Sequence, residues 1–314
     1  MAITLYVSEV TRPFVKWVLR RTTGLCELQR TCYCEPSGAS RVIGIENSLR
    51  KSKSEKIKKL LEFLDRAASE HRFSSPASNT IVKNSIDAVC SIKCIRPNVH
   101  QPFGKAFGEC VAIIWGYKQL LHELEILRTT AYDSSNLDHE EKLLELWSNL
   151  MPERKLEARV SEDWKDIGFQ GEDPKTDFRG MGMLGLENLL HFASCHSDVA
   201  RHVLSHSNHP QHGYFFAIVG INLTHLAFNL WKDGSAKSHV YNACCHHSCY
   251  ETFLALTLYL CYTSLRFNLA MEINVLNIAI LYEIFRCVAL DLLQKISIIL
   301  AILIILLFCC AEVG

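Results

Sequence analysis

At 314 residues the chain can bury a substantial core, in one large or two modest domains. Lysine plus arginine equals aspartate plus glutamate at 33 each, so no global positive field exists to hold a phosphate backbone, and nucleic-acid binding is not expected. The 14 cysteines are scattered, and the N-terminus carries no signal-peptide pattern.

Residues 12–21, RPFVKWVLRR, place Arg12, Lys16 and Arg20 four apart on one side of a helix that also carries Phe14, Val15, Trp17 and Val18. Pro13 is tolerable only in the first turn of such a helix. Two readings stand: an interfacial helix whose basic face meets anionic lipid, and an ordinary docking helix. A Ser/Lys-rich linker at residues 48–54 leads into residues 55–68, where Ile57, Leu60, Leu61 and Leu64 recur at helical spacing. Residues 73–84, rich in serine with a proline, read as loop. Residues 111–128 read as a long helix that buries Ile114, Tyr117, Leu121, Leu124 and Leu127. Asp138 followed by Glu141 resembles a capping box, opening a helix that buries Leu143, Leu144, Trp147 and Leu150. A short helix begins at Ser197 and passes through Val199, Val203 and Leu204, and residues 214–231 are apolar nearly all round, as suits the centre of a bundle. Helical periodicity recurs and strand alternation does not, so the expected class is all-α.

The most informative stretch is residues 164–190, WKDIGFQGEDPKTDFRGMGMLGLENLL. It sets Arg179 between acidic residues and a run of three glycines. Asp173, Pro174, Thr176 and Asp177 form a polar, turn-rich loop, and Gly180, Gly182 and Gly185 let the backbone bend or pack closely. Leu184, Leu186, Leu189 and Leu190 then read as a buried helix. Arg179 therefore stands at a loop-to-helix junction, either presented to a partner or paired with a neighbouring aspartate. The glycines also satisfy G-x-G-x-x-G, but no buried strand precedes them and no βαβ alternation follows. Tight helix packing is the better account of them.

Two His/Cys groups invite a metal reading. His206, His209 and His212 are evenly spaced, and Cys244, Cys245, His246, His247 and Cys249 crowd together, yet neither has the paired ligand spacing of a zinc finger. No metal site is expected.

The string GFQGEDPKTDFRGMGMLGL, with AYDSSNLDHEEKLLELW upstream and SNHPQHGYFFAIVGINLTHLAFNL downstream, resembles the engulfment-and-motility (ELMO) domain. TGLCELQR and GASRVIGIENSLRKSKS narrow the resemblance to the short ELMO-domain-containing proteins, as against the long ELMO scaffolds. The resemblance runs from about Trp17 to about Asn242. It implies a helical domain with flanking N-terminal helices, in a cytoplasmic protein whose cysteines are reduced thiols. It also implies a GTPase-activating protein for small GTPases of the Arf and Arl group, with its catalytic arginine in the motif Asp177-Phe178-Arg179-Gly180. On that reading Arg179 is an arginine finger supplied in trans, and Asp173, Thr176, Asp177 and Gly180 orient its loop or meet the partner. Gln170 is a weaker candidate for partner contact. GTP and Mg²⁺ belong to the partner, so no cofactor is expected here, and the chain activates an enzyme without turning over a substrate of its own. The alternatives are a non-catalytic interaction module, as in the long scaffolds, and a membrane-attached adaptor.

The expected organisation is an N-terminal helix and linker at 1–54, the helical domain at 55–242, and a divergent apolar tail at 243–314. Residues 296–311 carry no charge over sixteen positions, with Arg286 and Lys295 before them. As a helix they span about 24 Å against a hydrocarbon core of about 30 Å. A short tail anchor, a buried helix and a non-native reading frame all fit; departure of the whole tail from the family favours the last. Membrane contact is thus expected, if anywhere, through residues 12–21 or 296–311.

Overall fold

The computed structural model describes residues 2–70, 76–211 and 213–243. Among them the fold is all-α, with eleven α-helices and two 3₁₀ helices and no strand. In chain order the helices are α1 (Ala2–Thr23), α2 (Glu27–Cys34), α3 (Ala39–Arg50), α4 (Glu55–Glu70), α5 (Pro76–Lys93), α6 (Gln101–Thr129), α7 (Leu137–Leu150), α8 (Gly182–Cys195), α9 (Ser197–Ser207), α10 (Phe216–Lys232) and α11 (Lys237–Ala243). The described residues fall into two compact units, one of residues 2–120 with 240–243, the other of Leu121–His239. The division lies inside α6.

In the first unit the core gathers Leu28, Ile45, Val89, Phe103, Phe107 and Trp115. The end of the described chain ties back onto α3. Asn242 Oδ1 accepts a hydrogen bond from the Ala39 backbone N–H at 2.7 Å, and the buried Tyr241 hydroxyl donates to Glu46 at 3.0 Å. Burial and the neighbouring Glu46 carboxylate push the Tyr241 phenol well above its usual range. Burial pushes the Cys32 thiol up to about 12. Cys26, Cys32, Cys34, Cys90, Cys94 and Cys195 are free thiols.

The second unit is built on α8, which packs against α7, α9 and α10. Ten of the fourteen α8 residues are buried, so α8 occupies the centre that apolarity alone assigned to α10. α10 leaves Asn222 and His225 in solvent, and it approaches α8 at Gly220, where an added Cβ would lie 2.5 Å from Leu189 Cδ2. Asn188 Nδ2 donates to the buried Thr224 hydroxyl at 3.2 Å across the same contact.

Several boundaries differ from the sequence expectation. Residues 76–84 are not loop but the first half of α5, where Pro76 sits at the helix start and Ile81, Ser85 and Val89 are buried four apart. Serine content hid this stripe. α1 runs through Pro13 rather than starting there; a proline costs one backbone bond, and the turns on either side keep theirs. The linker shrinks to residues 51–54 because α3 extends to Arg50. The cap of α7 is Asn136, whose side chain accepts from the Asp138 N–H at 3.0 Å, two residues before the expected box. Leu144 and Val199 are exposed, not buried.

Among the described residues no helix is long and apolar enough to cross a membrane. Residues 296–311 lie outside the described residues, as do His212 and the group from Cys244 to Cys249. No three His, Cys, Asp or Glu side chains converge as metal ligands among the described residues. His206 instead stacks edge-on against His202, with ring centroids 4.6 Å apart.

Candidate functional site

The site is the segment between α7 and α8, and it begins with two 3₁₀ turns. The first, Glu162–Ile167, is capped by Ser161, whose hydroxyl accepts from the Asp163 N–H at 3.1 Å. It ends at Gly168, with φ +83°, where a Cβ would lie 2.1 Å from the Phe216 backbone nitrogen. Only glycine fits this close approach, and the Gly168 carbonyl accepts from the Ile218 N–H at 3.3 Å. The second turn, Pro174–Arg179, starts at the cap Asp173, whose carboxylate accepts from the Lys175 N–H at 3.0 Å, with Pro174 at the first helical position.

Beneath these turns runs a row of aromatic rings. Trp147 meets Trp164 at 5.5 Å, Trp164 meets Phe169 at 5.8 Å, Phe169 meets Phe178 at 5.6 Å, and Phe178 meets Tyr132 at 5.6 Å. Trp164, Phe169 and Phe178 are buried almost completely, so Trp164 and Phe169 are core residues and not contact residues. Each such side chain contributes a few kcal/mol by leaving water, roughly 2–3. Phe178 therefore fixes the backbone on which the next residue, Arg179, is displayed.

Arg159 ties the turn to its surroundings. Its guanidinium bonds Glu140 at 2.6 Å and Asp173 at 3.0 Å and lies 5.7 Å from the centre of the Tyr132 ring. Burial opposes its charge, but the two carboxylates more than compensate and hold its pKa above the usual arginine value. The Tyr132 hydroxyl donates to Glu140, and burial with that bond pushes the phenol far above its ordinary range. Sequence reasoning missed Arg159, Tyr132 and Glu140. No periodicity or spacing links positions this far apart in the chain to the cap of the turn.

The predicted residues occupy this frame as follows. Asp173 caps the second turn and pairs with Arg159, and Asp177 Oδ2 accepts from the Gln170 N–H at 2.9 Å, closing the loop between its two turns. Thr176 supplies the carbonyl that accepts from Arg179 Nε at 2.9 Å, while its own hydroxyl donates to the Asp173 carbonyl at 3.2 Å. Gln170, Thr176, Arg179 and Gly180 are exposed, and among the described residues nothing beyond its chain neighbours lies within 4 Å of a Cβ built on Gly180. Both aspartates thus orient the backbone, and neither pairs with Arg179. Of the five arginines in the second unit, Arg128, Arg154, Arg159 and Arg201 are ion-paired, and only Arg179 has no carboxylate partner among the described residues.

The three glycines after Arg179 divide by role. Gly182, at φ +51°, needs to be glycine: a Cβ there would lie 2.4 Å from the Thr130 carbonyl oxygen. That oxygen accepts from the Met183 N–H at 2.9 Å, joining the start of α8 to the chain just beyond α6. Gly185 would place a Cβ at ordinary contact distance, 3.4 Å or more from its neighbours. Only Gly182 is required by backbone packing, and among the described residues no strand precedes the glycines to form a dinucleotide-binding unit.

The profile of the ELMO/CED-12 family matches residues 122–286, which is more than half of the chain. The chain belongs to the ELMO/CED-12 family. The match carries on to residue 286, past the point near Asn242 where the sequence reading ended the resemblance; the stretch beyond residue 243 lies outside the described residues. Mouse (Mus musculus) ELMO domain-containing protein 2 is 47% identical over 231 residues, covering 74% of this chain and 74% of that protein. Mouse ELMO domain-containing protein 1 is 44% identical over 245 residues, covering 73% of this chain and 71% of that protein. ELMO domain-containing protein B of Dictyostelium discoideum is 36% identical over 218 residues, covering 68% and 72% respectively. No solved structure matches the chain.

Proposed function

We propose that the protein activates a small GTPase of the Arf/Arl group by supplying Arg179 in trans. The observation that carries this reading is the contrast within one loop. Arg179 stands exposed with no carboxylate partner among the described residues, on a backbone held by the buried Phe178, by the Asp177 bond to the Gln170 N–H, and by the Asp173 cap. An arginine kept for structure would be expected to pair with one of the two nearby aspartates; here both are engaged elsewhere.

In phosphoryl transfer, charge develops on the equatorial oxygens of the transferring group, and a planar, permanently charged guanidinium stabilises it. The bond from Arg179 Nε to the Thr176 carbonyl sets the start of the side chain and leaves both Nη groups for two oxygens of the partner's nucleotide. Such a finger is worth roughly 10³ to 10⁵ in rate, or about 4 to 7 kcal/mol of barrier. Gly180 fits the same reading. Its missing Cβ has no internal cause, and a partner surface that must come close to the Arg179 backbone supplies one.

The test is single-turnover GTP hydrolysis by a panel of Arf and Arl proteins, with this chain and its Arg179→Lys variant, each checked for folding. Lysine keeps the charge and loses the planar fork. Loss of acceleration by about 10²-fold or more in the folded variant supports the finger. Equal acceleration by both chains makes Arg179 structural. No acceleration by either folded chain favours the non-catalytic interaction module.

A further inference from the structure

Helix α1 carries large apolar side chains that are exposed among the described residues. Phe14 is 67% exposed, Val15 47%, Trp17 59% and Leu19 38%. Phe14 and Trp17 stack with ring centroids 6.3 Å apart, and the Arg21 guanidinium lies 6.0 Å from the Trp17 ring. Arg20 and Arg21 are exposed, with no carboxylate partner among the described residues. The helix sequence holds Arg12, Lys16, Arg20 and Arg21 against a single acid, Glu9, in a chain whose formal net charge is zero. Lys16 is partly used, since it pairs with Glu27.

We propose that α1 is a membrane-interface helix that docks on anionic lipid, with Phe14 and Trp17 at the level of the headgroups and Arg20 and Arg21 on lipid phosphates. Two features select lipid over a partner helix. The exposed apolar residues form two rows, Phe14 with Trp17 and Val15 with Leu19, a broader surface than the single seam along which two helices interlock. Unpaired arginines flank the aromatic rings directly, and aromatic rings beside cations belong to the water–hydrocarbon boundary of a negatively charged bilayer. The proposal rests on the exposure and charge of α1 alone and is independent of the role of Arg179.

The experiment is co-sedimentation of the purified full chain with phosphatidylcholine vesicles, with and without phosphatidylserine, alongside two double variants whose helicity is checked by circular dichroism. The wild type is expected to pellet with phosphatidylserine vesicles and to release as salt rises from about 0.1 M to about 0.5 M. Arg20→Glu with Arg21→Glu lowers partitioning by about tenfold or more, because each basic residue near an anionic surface contributes roughly a fivefold gain. Phe14→Ala with Trp17→Ala lowers it on both vesicle types. Absence of wild-type binding overturns the proposal, as does equal binding by both folded variants, which would place the attachment elsewhere in the chain. Loss of a wild-type dimer in the Phe14/Trp17 variant, with no vesicle binding, would assign the face to a second copy instead.

Discussion

The base of the Arg179 loop and its exposed edge are one residue apart in sequence and opposite in physics. Phe178 is buried against Phe169 and Tyr132, while Arg179 has only the Thr176 carbonyl as partner among the described residues. The same contrast separates the two arginines of the site, since Arg159 is held by two carboxylates and an aromatic ring and Arg179 by none. The difference teaches how an exposed, charged side chain can stand on a fixed base. Burial and ion pairing hold the backbone beneath it, and on the proposed function its charged end meets the partner.

The adjacent pair gives the sharpest test. Phe178→Ala removes a buried aromatic ring and is expected to destabilise the second unit by about 3 to 5 kcal/mol, read by urea or thermal unfolding. Arg179→Ala is expected to change stability by no more than about 0.5 kcal/mol while abolishing any GTPase activation. A large stability loss for Arg179→Ala would erase the contrast.

Gly182→Ala tests the junction with α8. At φ +51°, with carbonyl oxygens crowding the new Cβ, it is expected to cost about 2 to 4 kcal/mol. Gly180→Ala meets open space and is expected to leave unfolding unchanged within about 0.5 kcal/mol, while raising the GTPase concentration needed for half-maximal activation. Equal damage from both substitutions would mean that the two glycines share one structural role.

Arg159→Met removes the tie to Glu140 and Asp173. It is expected to cost about 1 to 2 kcal/mol, discounted because the group is a quarter exposed, and to slow activation without removing it. Loss of activation as complete as that of Arg179→Lys, at unchanged stability, would put Arg159 itself in contact with the partner.

The smallest expected effect is on pH. Burial lowers the pKa of both His191 and His239, and nearby His196 lowers that of His191 further. The unfolded chain then binds protons first as pH falls. Their contribution to stability is complete above the unfolded histidine value near 6.5 and is lost as pH falls through the lower folded values. Thermal midpoints are expected to drop by about 2 °C or less between pH 7 and pH 5, and less in a His191→Gln, His239→Gln double variant. A midpoint that rises over this range would contradict the assignment.

The sequence by itself determined the all-α class, family membership and Arg179 as the residue to examine. Helical spacing repeats along the chain, and the DFRG motif with its flanking strings is specific at the level of residues. Local chemistry also marked the capping and turn residues of the loop, because Asp173-Pro174 acts over two or three positions. It misread residues 76–84, where serine obscured a buried stripe, and it placed α10 at the centre on apolarity, where packing puts α8. Only the tertiary structure decided which carboxylates were already taken. Arg159 reaches Glu140, 19 positions away, and Asp173, 14 positions away, and no sequence period couples such distances. Among the described residues Arg179 is left without an ion pair while Asp173 and Asp177 have other partners, and a chain read one residue at a time does not contain that allocation of partners in space.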